Sequence, residues 1–363
     1  MSDVLIIGGG IMGSVSAFEL ARRGASVRVL EKSVPGAEAS SAAAGILGAQ
    51  LEAHAPGPEV DMLLRSREKY REFTSKLTSM TGVDTGYRRC GGLRVAVNDE
   101  AVDDVLASGE WQRSAGMSVE TLDEKTLATL EPSIVGKAAV RFVEDGQVDP
   151  PRLFRALQIA ASRAGARFES GKQVRRLIIS DGRCVGALLE DGTEALADHT
   201  VLAAGSWSTL VEGAPLASDA VRPARGQIVE LTLHAPVFSH IVFGAGVYAV
   251  PREDGRVLVG STLEFVGYHK AVTARGVRDL LNGVTKLIPA LADASFTNSW
   301  SSFRPFSVAG KPLIGRSETP GLILATGHHR NGILLAPITG ELVADAILGR
   351  DPGPVHGRAA QPS

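Results

Sequence analysis

The chain has 363 residues, 44% hydrophobic and 21% charged, with 41 glycines, enough for a large core and two lobes. Its formal net charge of −2, without a long basic run, argues against nucleic acid and anionic membrane as partners. The two cysteines, Cys90 and Cys184, lack metal-ligand and CxxC spacing, which points to a reducing compartment and no disulfide framework.

Asp3-Val4-Leu5-Ile6-Ile7 predicts a buried parallel strand. It is too short for a signal-peptide core or a membrane span, so a cytoplasmic protein is expected. Gly8-Gly9-Gly10-Ile11-Met12-Gly13 follows and opens a helix that ends at Arg23-Gly24; a second strand closes on Glu31. This is a dinucleotide fingerprint in full context. Gly8 makes the tight turn, Gly10 lets backbone approach a pyrophosphate, and Gly13 lets helix pack on strand. The helix N-terminus presents free N–H groups and a positive dipole end to phosphates. Glu31 stands where an acid binds a ribose 2′-hydroxyl and repels a 2′-phosphate, so ADP-ribose fits and NADP does not. The unit does not separate NAD from FAD.

The run from Ala39 to Ala49 is small and apolar, suited to backbone lying flat against a large planar group. Residues 59–80 read as an amphipathic helix carrying Val60, Leu63, Leu64, Phe73 and Leu77. Gly92 to Val97 alternates as a strand, followed by helical stretches near 99–116 and 122–130 and another helix at 152–164. Strands are predicted at 166–169, 176–179, 184–189 and 199–204, with a Ser180-Asp181-Gly182-Arg183 turn inside the pair. Residues 221–270 are strand-rich, with Asp254-Gly255 turning between Val247–Pro251 and Val257–Gly260; a helix spans 273–292. The tail from Pro352 reads as frayed.

Leu322-Ile323-Leu324-Ala325-Thr326-Gly327 leads through His328-His329-Arg330-Asn331-Gly332-Ile333 into a helix expected from about Gly332 to Leu348, with Pro337 in its first turn. A second strand, glycine loop and helix N-terminus aimed at one region suits a flavin, whose reduced ring carries negative charge. An ordinary strand-to-helix connection is the competing reading.

The fingerprint, the Ser40–Ala49 run, Tyr248-Ala249-Val250-Pro251-Arg252, Val259-Gly260-Ser261-Thr262, Phe303-Arg304-Pro305 and Gly327 to Ile333 together resemble the FAD-dependent D-amino-acid oxidase superfamily, in order from residue 3 to about 349. Within it they are similar to the bacterial glycine oxidases of the thiamine pathway. The resemblance implies an α/β and α+β fold: a Rossmann-like FAD domain of the glutathione-reductase type (1–85, 145–215, 310–363) interleaved with a substrate domain on a mostly antiparallel sheet (86–144, 216–309). It implies FAD contacts at Gly8, Gly10, Ile11, Met12, Gly13, Glu31, Lys32, Ser40, Ser41, Ala43, Ala44, Gly45, Ile46, Val174, Ala204, Gly205, Trp207, Gly327, His329, Arg330, Asn331, Gly332 and Ile333. Superfamily members that bind flavin covalently use a late cysteine, and none follows Cys184, so non-covalent FAD is implied.

An amino-acid substrate needs its carboxylate anchored and its Cα–H aimed at flavin N5. A bidentate arginine suits the first task, and Arg304 is restrained between Phe303 and Pro305. The resemblance makes Tyr248 a hydrogen-bond partner of the same carboxylate and places Arg304, Tyr248, Arg330, Gly246, Leu263 and Gly48 around the substrate. Gly246 stands where the family usually has a histidine, and Leu263 where it often has methionine. Neither His269 nor the His328-His329 pair has metal-ligand spacing, so no metal is expected. The 86–144 segment offers no chemistry. The implied reaction is oxidation of glycine, sarcosine, D-alanine or D-proline by hydride transfer, giving 2-oxo acid, ammonia and, with oxygen as acceptor, hydrogen peroxide. A dehydrogenase using another acceptor, or a subunit of a heteromeric amine oxidase, is the alternative; a homo-oligomer is compatible with either.

Overall fold

The structure is a computed structural model that describes residues 3–53 and 55–349; the tail expected to fray lies outside the described residues. A six-stranded sheet runs in the order Leu313–Arg316, Leu322–Thr326, His199–Leu202, Asp3–Ile7, Ser26–Glu31, Arg167–Ser170. All its pairings are parallel except that of the first two strands. Asp3–Ile7 sits centrally, with Ser26–Glu31 on one side and His199–Leu202 on the other. The strand order reverses there, which leaves a crevice at the carboxyl ends of the strands.

The helix Ile11–Arg22 follows the fingerprint loop and is buried along nearly its whole length. Val15, Phe18 and Leu20 pack with Val4, Ile6 and Val29 in one core that also takes in the helices Pro58–Thr81, Pro150–Arg163 and Ala336–Leu348. Each such apolar side chain contributes roughly 1.5–3 kcal/mol over exposure, so the loop is mounted on a stiff base. A Cβ at Gly13 would lie 1.9 Å from the Gly8 carbonyl oxygen, so only glycine permits this helix-to-loop contact.

An eight-stranded sheet forms the other half, in the order Ser295–Ser307, Val221–Thr232, Arg256–Gly260, Val247–Pro251, Ile241–Gly244, Gly92–Ala96, Ala138–Phe142, Val119–Asp123. It is antiparallel except where Ile241–Gly244 meets Gly92–Ala96. The helix Ala274–Leu287 covers it, with Leu280, Val284 and Leu287 in its core. A three-stranded antiparallel sheet, Val174–Ser180, Arg183–Leu189 and Glu194–Leu196, carries the predicted turn, with Asp181 and Gly182 both at positive φ.

Several local expectations change; the helix expected over 273–292 ends at Leu287 and gives way to a 3₁₀ turn at Pro289–Asp293. Residues 119–123 form an edge strand, and the helix expected from 122 begins at Glu124, where the Asp123 side chain accepts a bond from the Thr126 amide at 2.8 Å. The helix expected from Gly332 begins at Ala336; before it lie a 3₁₀ turn at His329–Asn331 and further turns. The small-residue run gives a short helix, Ala39–Ala42, and then a two-residue strand, Ile46–Leu47, paired with Gly146–Gln147. At 119–123, antiparallel pairing with Ala138–Phe142 outweighs the local helical pattern.

Candidate active site

A cavity of about 400 Å³ starts at the fingerprint loop and runs to the edge of the eight-stranded sheet. Gly8, Gly10, Ile11, Met12, Glu31, Lys32 and Ser40 line one end. The Glu31 carboxylate accepts from the Gly9 amide at 2.8 Å and the Ser33 amide at 3.0 Å. It therefore fixes the loop as well as facing the cavity. Ser40 Oγ accepts from the Ile11 amide at 2.8 Å, the first free N–H of the helix.

Farther along, Ala43, Ala44, Gly45, Ile46, Val174, Ala204, Gly205 and Trp207 form the walls. Lys32 Nζ stands 3.4 Å from the centroid of the Trp207 ring, and burial pulls its pKa down. His329, Arg330, Asn331, Gly332 and Ile333 line the cavity as well, with a Cβ at Gly332 coming 3.8 Å from Met12 Cε. The helix Pro58–Thr81 supports this turn from behind. Ser66 Oγ donates to the Leu334 carbonyl at 2.6 Å, and the fully buried Tyr70 donates its hydroxyl to the Ile333 carbonyl.

Three expected cofactor residues lie outside this lining. Gly13 is occupied with helix packing, Gly327 turns the chain at φ 76°, and Ser41 faces elsewhere in its short helix. Lys172, Gln173 and Arg175 line the cavity without having been foreseen. Lys172 and Gln173 lead into the Val174–Ser180 strand and Arg175 lies within it, in an ordinary strand pattern.

A second cavity of about 290 Å³ adjoins the first, and Tyr248, Ser261, Arg304 and Arg330 line both. Arg304 sits on the long strand Ser295–Ser307, opposite Ala224. Its Nη1 donates to the Thr262 carbonyl at 3.2 Å and its Nη2 to Ser261 Oγ at 2.5 Å. No carboxylate among the described residues is ion-paired with it. Burial lowers its pKa; Tyr248 opposes that shift and Arg330 adds to it. Tyr248 is buried opposite Gly260, where a Cβ would come 2.3 Å from the phenol oxygen. Arg330 is gripped by Glu52 at 3.0 and 3.1 Å.

Gly246 and Leu263 line the second cavity, Leu263 from its exposed rim. Gly48 does not line either cavity; it is buried against Leu51. Arg94, from the segment read as offering no chemistry, does line the second cavity.

Burial holds the His329 imidazole down to about pH 4, with Arg304 and Arg330 pushing the same way, so the ring is neutral at neutral pH. Its Nε2 and the Ser302 hydroxyl are buried without a hydrogen-bond partner, and both residues line the first cavity. Unpartnered buried polar atoms beside a long, largely apolar cavity with a glycine loop at one end fit a flavin dinucleotide.

Residues 3–346 match the family described as FAD dependent oxidoreductase (DAO). The chain is 36% identical to a glycine oxidase from Geobacillus kaustophilus over 95% of this chain and 92% of that protein. A crystal structure of glycine oxidase from Geobacillus kaustophilus superposes with a TM-score of 0.92 at 33% identity, covering 100% of both chains. The chain is also 38% identical, over 98% of its length, to the bifunctional protein ThiO/ThiG of Synechocystis, and it spans about half the length of that relative. Among the described residues no helix is long and apolar enough to cross a membrane. On this evidence the chain belongs to the FAD-dependent oxidoreductase family.

Proposed function

We propose that this chain oxidises the C–N bond of a small amino acid such as glycine, sarcosine, D-alanine or D-proline, using non-covalently bound FAD and molecular oxygen. One observation carries the reading: the half-buried Arg304 guanidinium lacks an ion-paired carboxylate among the described residues, lies beside buried Tyr248, and stands where the two cavities join. The relatives named glycine oxidase support a small amino acid as substrate, glycine among the four.

In this reading Gly8, Gly10, Glu31 and Ser40 would hold the adenosine and pyrophosphate end of FAD, and Ile46, His329 and Ile333 would help to hold its ring system. Bound FAD supplies a two-electron acceptor for the substrate Cα–H hydride. Arg304 takes the substrate carboxylate through two parallel N–H bonds, and Tyr248 donates its hydroxyl to the same group. Holding the Cα–H in one orientation is worth up to about 7–11 kcal/mol of barrier. The apolar walls exclude water, and neutral His329 adds no cation beside the reacting amine. The imine released takes up water to give the 2-oxo acid, with ammonia from glycine or D-alanine, methylamine from sarcosine, and the nitrogen retained as a tethered amine from D-proline; oxygen becomes hydrogen peroxide.

Anaerobic mixing of the yellow holoenzyme with these four amines tests the reading. Bleaching by at least one of them, followed by peroxide release on admitting air, is the expected result. A flavin left oxidised by all four would overturn it, and bleaching without peroxide would reassign the acceptor.

A further inference from the structure

The second cavity holds more cation than a single substrate carboxylate can neutralise. Arg94, Arg304 and Arg330 all line it, while Glu52 pairs with Arg330 alone. Arg94 rises from the strand Gly92–Ala96 and is half-buried among Val95, Val105 and Phe243, which line the same space. One of its terminal nitrogens donates to the Leu51 carbonyl, and no described carboxylate lies within ion-pair distance. Two guanidiniums without carboxylate partners thus face one cavity. Its volume of about 290 Å³ equals roughly ten waters' share of liquid, far more than glycine fills.

We infer that Arg94 forms a second anion subsite, and that the preferred substrates are amino acids bearing a second carboxylate. The inference rests on the amino-acid reading above and narrows it. Arg304 with Tyr248 takes the α-carboxylate, and Arg94 takes the distal one. The fork geometry of a guanidinium matches a carboxylate better than a point charge does. A partly desolvated cation without a counter-ion is stabilised by pairing with an anion. Burial depresses the Arg94 pKa, Glu52 opposing and Arg330 reinforcing, as an anion-poor environment would. The oxidised bond and the products other than the side chain are unchanged.

Two measurements on the holoenzyme test this. Flavin absorbance perturbation gives Kd for malonate and for acetate, neither of which can be oxidised. Anaerobic flavin reduction gives the D-aspartate to D-alanine ratio of kcat/KM. Malonate is expected to bind at least tenfold tighter than acetate, and Arg94→Gln to shrink that gap, and the kinetic ratio, about tenfold. Arg94→Lys keeps charge without the fork and is expected to fall between. Equal malonate and acetate affinity in the unmodified enzyme, or ratios that Arg94→Gln and Arg94→Lys both leave unchanged, would overturn the subsite. If glycine or D-alanine bleaches the flavin while the ratios do not move, the subsite fails and the amino-acid reading stands. If no amine bleaches it while Arg94→Gln abolishes the malonate gap, the anion subsite stands and the oxidation reading fails.

Discussion

Arg304 lies across Gly226, where a Cβ would sit 2.2 Å from Nη1. The guanidinium keeps its aim because the neighbouring strand offers no side chain at that point, and because Ser261 and Thr262 each accept one of its N–H groups. Truncating a partly desolvated charge partner costs about 2–5 kcal/mol. Arg304→Ala is therefore expected to lower kcat/KM by about 30-fold or more while FAD content holds. Near-normal kinetics in that variant would remove Arg304 from the site. Gly246 is a different case: a Cβ there meets nothing within 4 Å, but φ is 76°. Gly246→His should find room and cost about 1–2 kcal/mol in backbone strain. With a polar ring on the cavity wall, kcat/KM for D-proline relative to glycine should fall. One methylene in an apolar pocket is worth only about 1–3 kcal/mol, so this is a bias and not an exclusion. An unchanged ratio would mean that position 246 does not touch substrate.

At the scale of elements, the segment carrying Gln50, Leu51 and Glu52 is tied down by one buried carboxylate. Asp145 accepts from the Leu51 amide at 2.8 Å and pairs with Arg67 at 2.7 Å. Burial pushes its pKa up, and Arg67 pulls it back. Arg67→Ala would strand that charge at a cost of about 3–5 kcal/mol. Thermal denaturation should show a loss of several degrees, and binding of substrate analogues should weaken because Glu52 and the Leu51 carbonyl hold Arg330 and Arg94. A Tm equal to that of the unmodified protein would show that Asp145 is not a buried anion. The fingerprint helix supplies a second test. Gly10 lines the dinucleotide cavity, and a Cβ there stands only 3.1 Å from Ser40 Oγ. Gly10→Val should yield colourless protein of normal fold by circular dichroism. In the unmodified enzyme, acid precipitation should leave the yellow colour in the supernatant, and colour retained by the pellet would rule out non-covalent binding.

For the molecule as a whole, two histidines set an acid limit. Burial holds His328 down to about 3 and His329 to about 4, against about 6.5 when unfolded. The unfolded chain therefore binds more protons between pH 6.5 and 4, and stability falls as pH drops through that window. At 1.36 kcal/mol per unit, His329 alone accounts for an effect on the order of 3 kcal/mol. Tm measured from pH 7 to pH 4 should fall, and His329→Gln should flatten the decline. A decline of equal slope in that variant would assign the acid sensitivity elsewhere.

Units whose pattern is local are legible in the amino-acid order alone. Strand, glycine turn, helix and acid at residues 3–31 lie within one βαβ unit, and the hairpins at Asp181-Gly182 and Asp254-Gly255 are specified by their own turn residues. The amphipathic helix predicted at 59–80 appears as Pro58–Thr81 for the same reason, since its buried stripe is written at helical spacing. Family resemblance singles out Arg304 and Tyr248; strand spacing alone does not distinguish them from core or surface residues. The remaining features depend on contacts between distant segments. The parallel pairing of Ile241–Gly244 with Gly92–Ala96 brings Arg94 to the second cavity, although the residues around it read as a plain strand. Packing against Leu51 leaves Gly48 outside both cavity linings, and the 3₁₀ turn and further turns at 329–335 move the last helix start from Gly332 to Ala336. Register across a sheet is set by which distant faces bury together, and neither periodicity nor motif spacing along the chain contains that information.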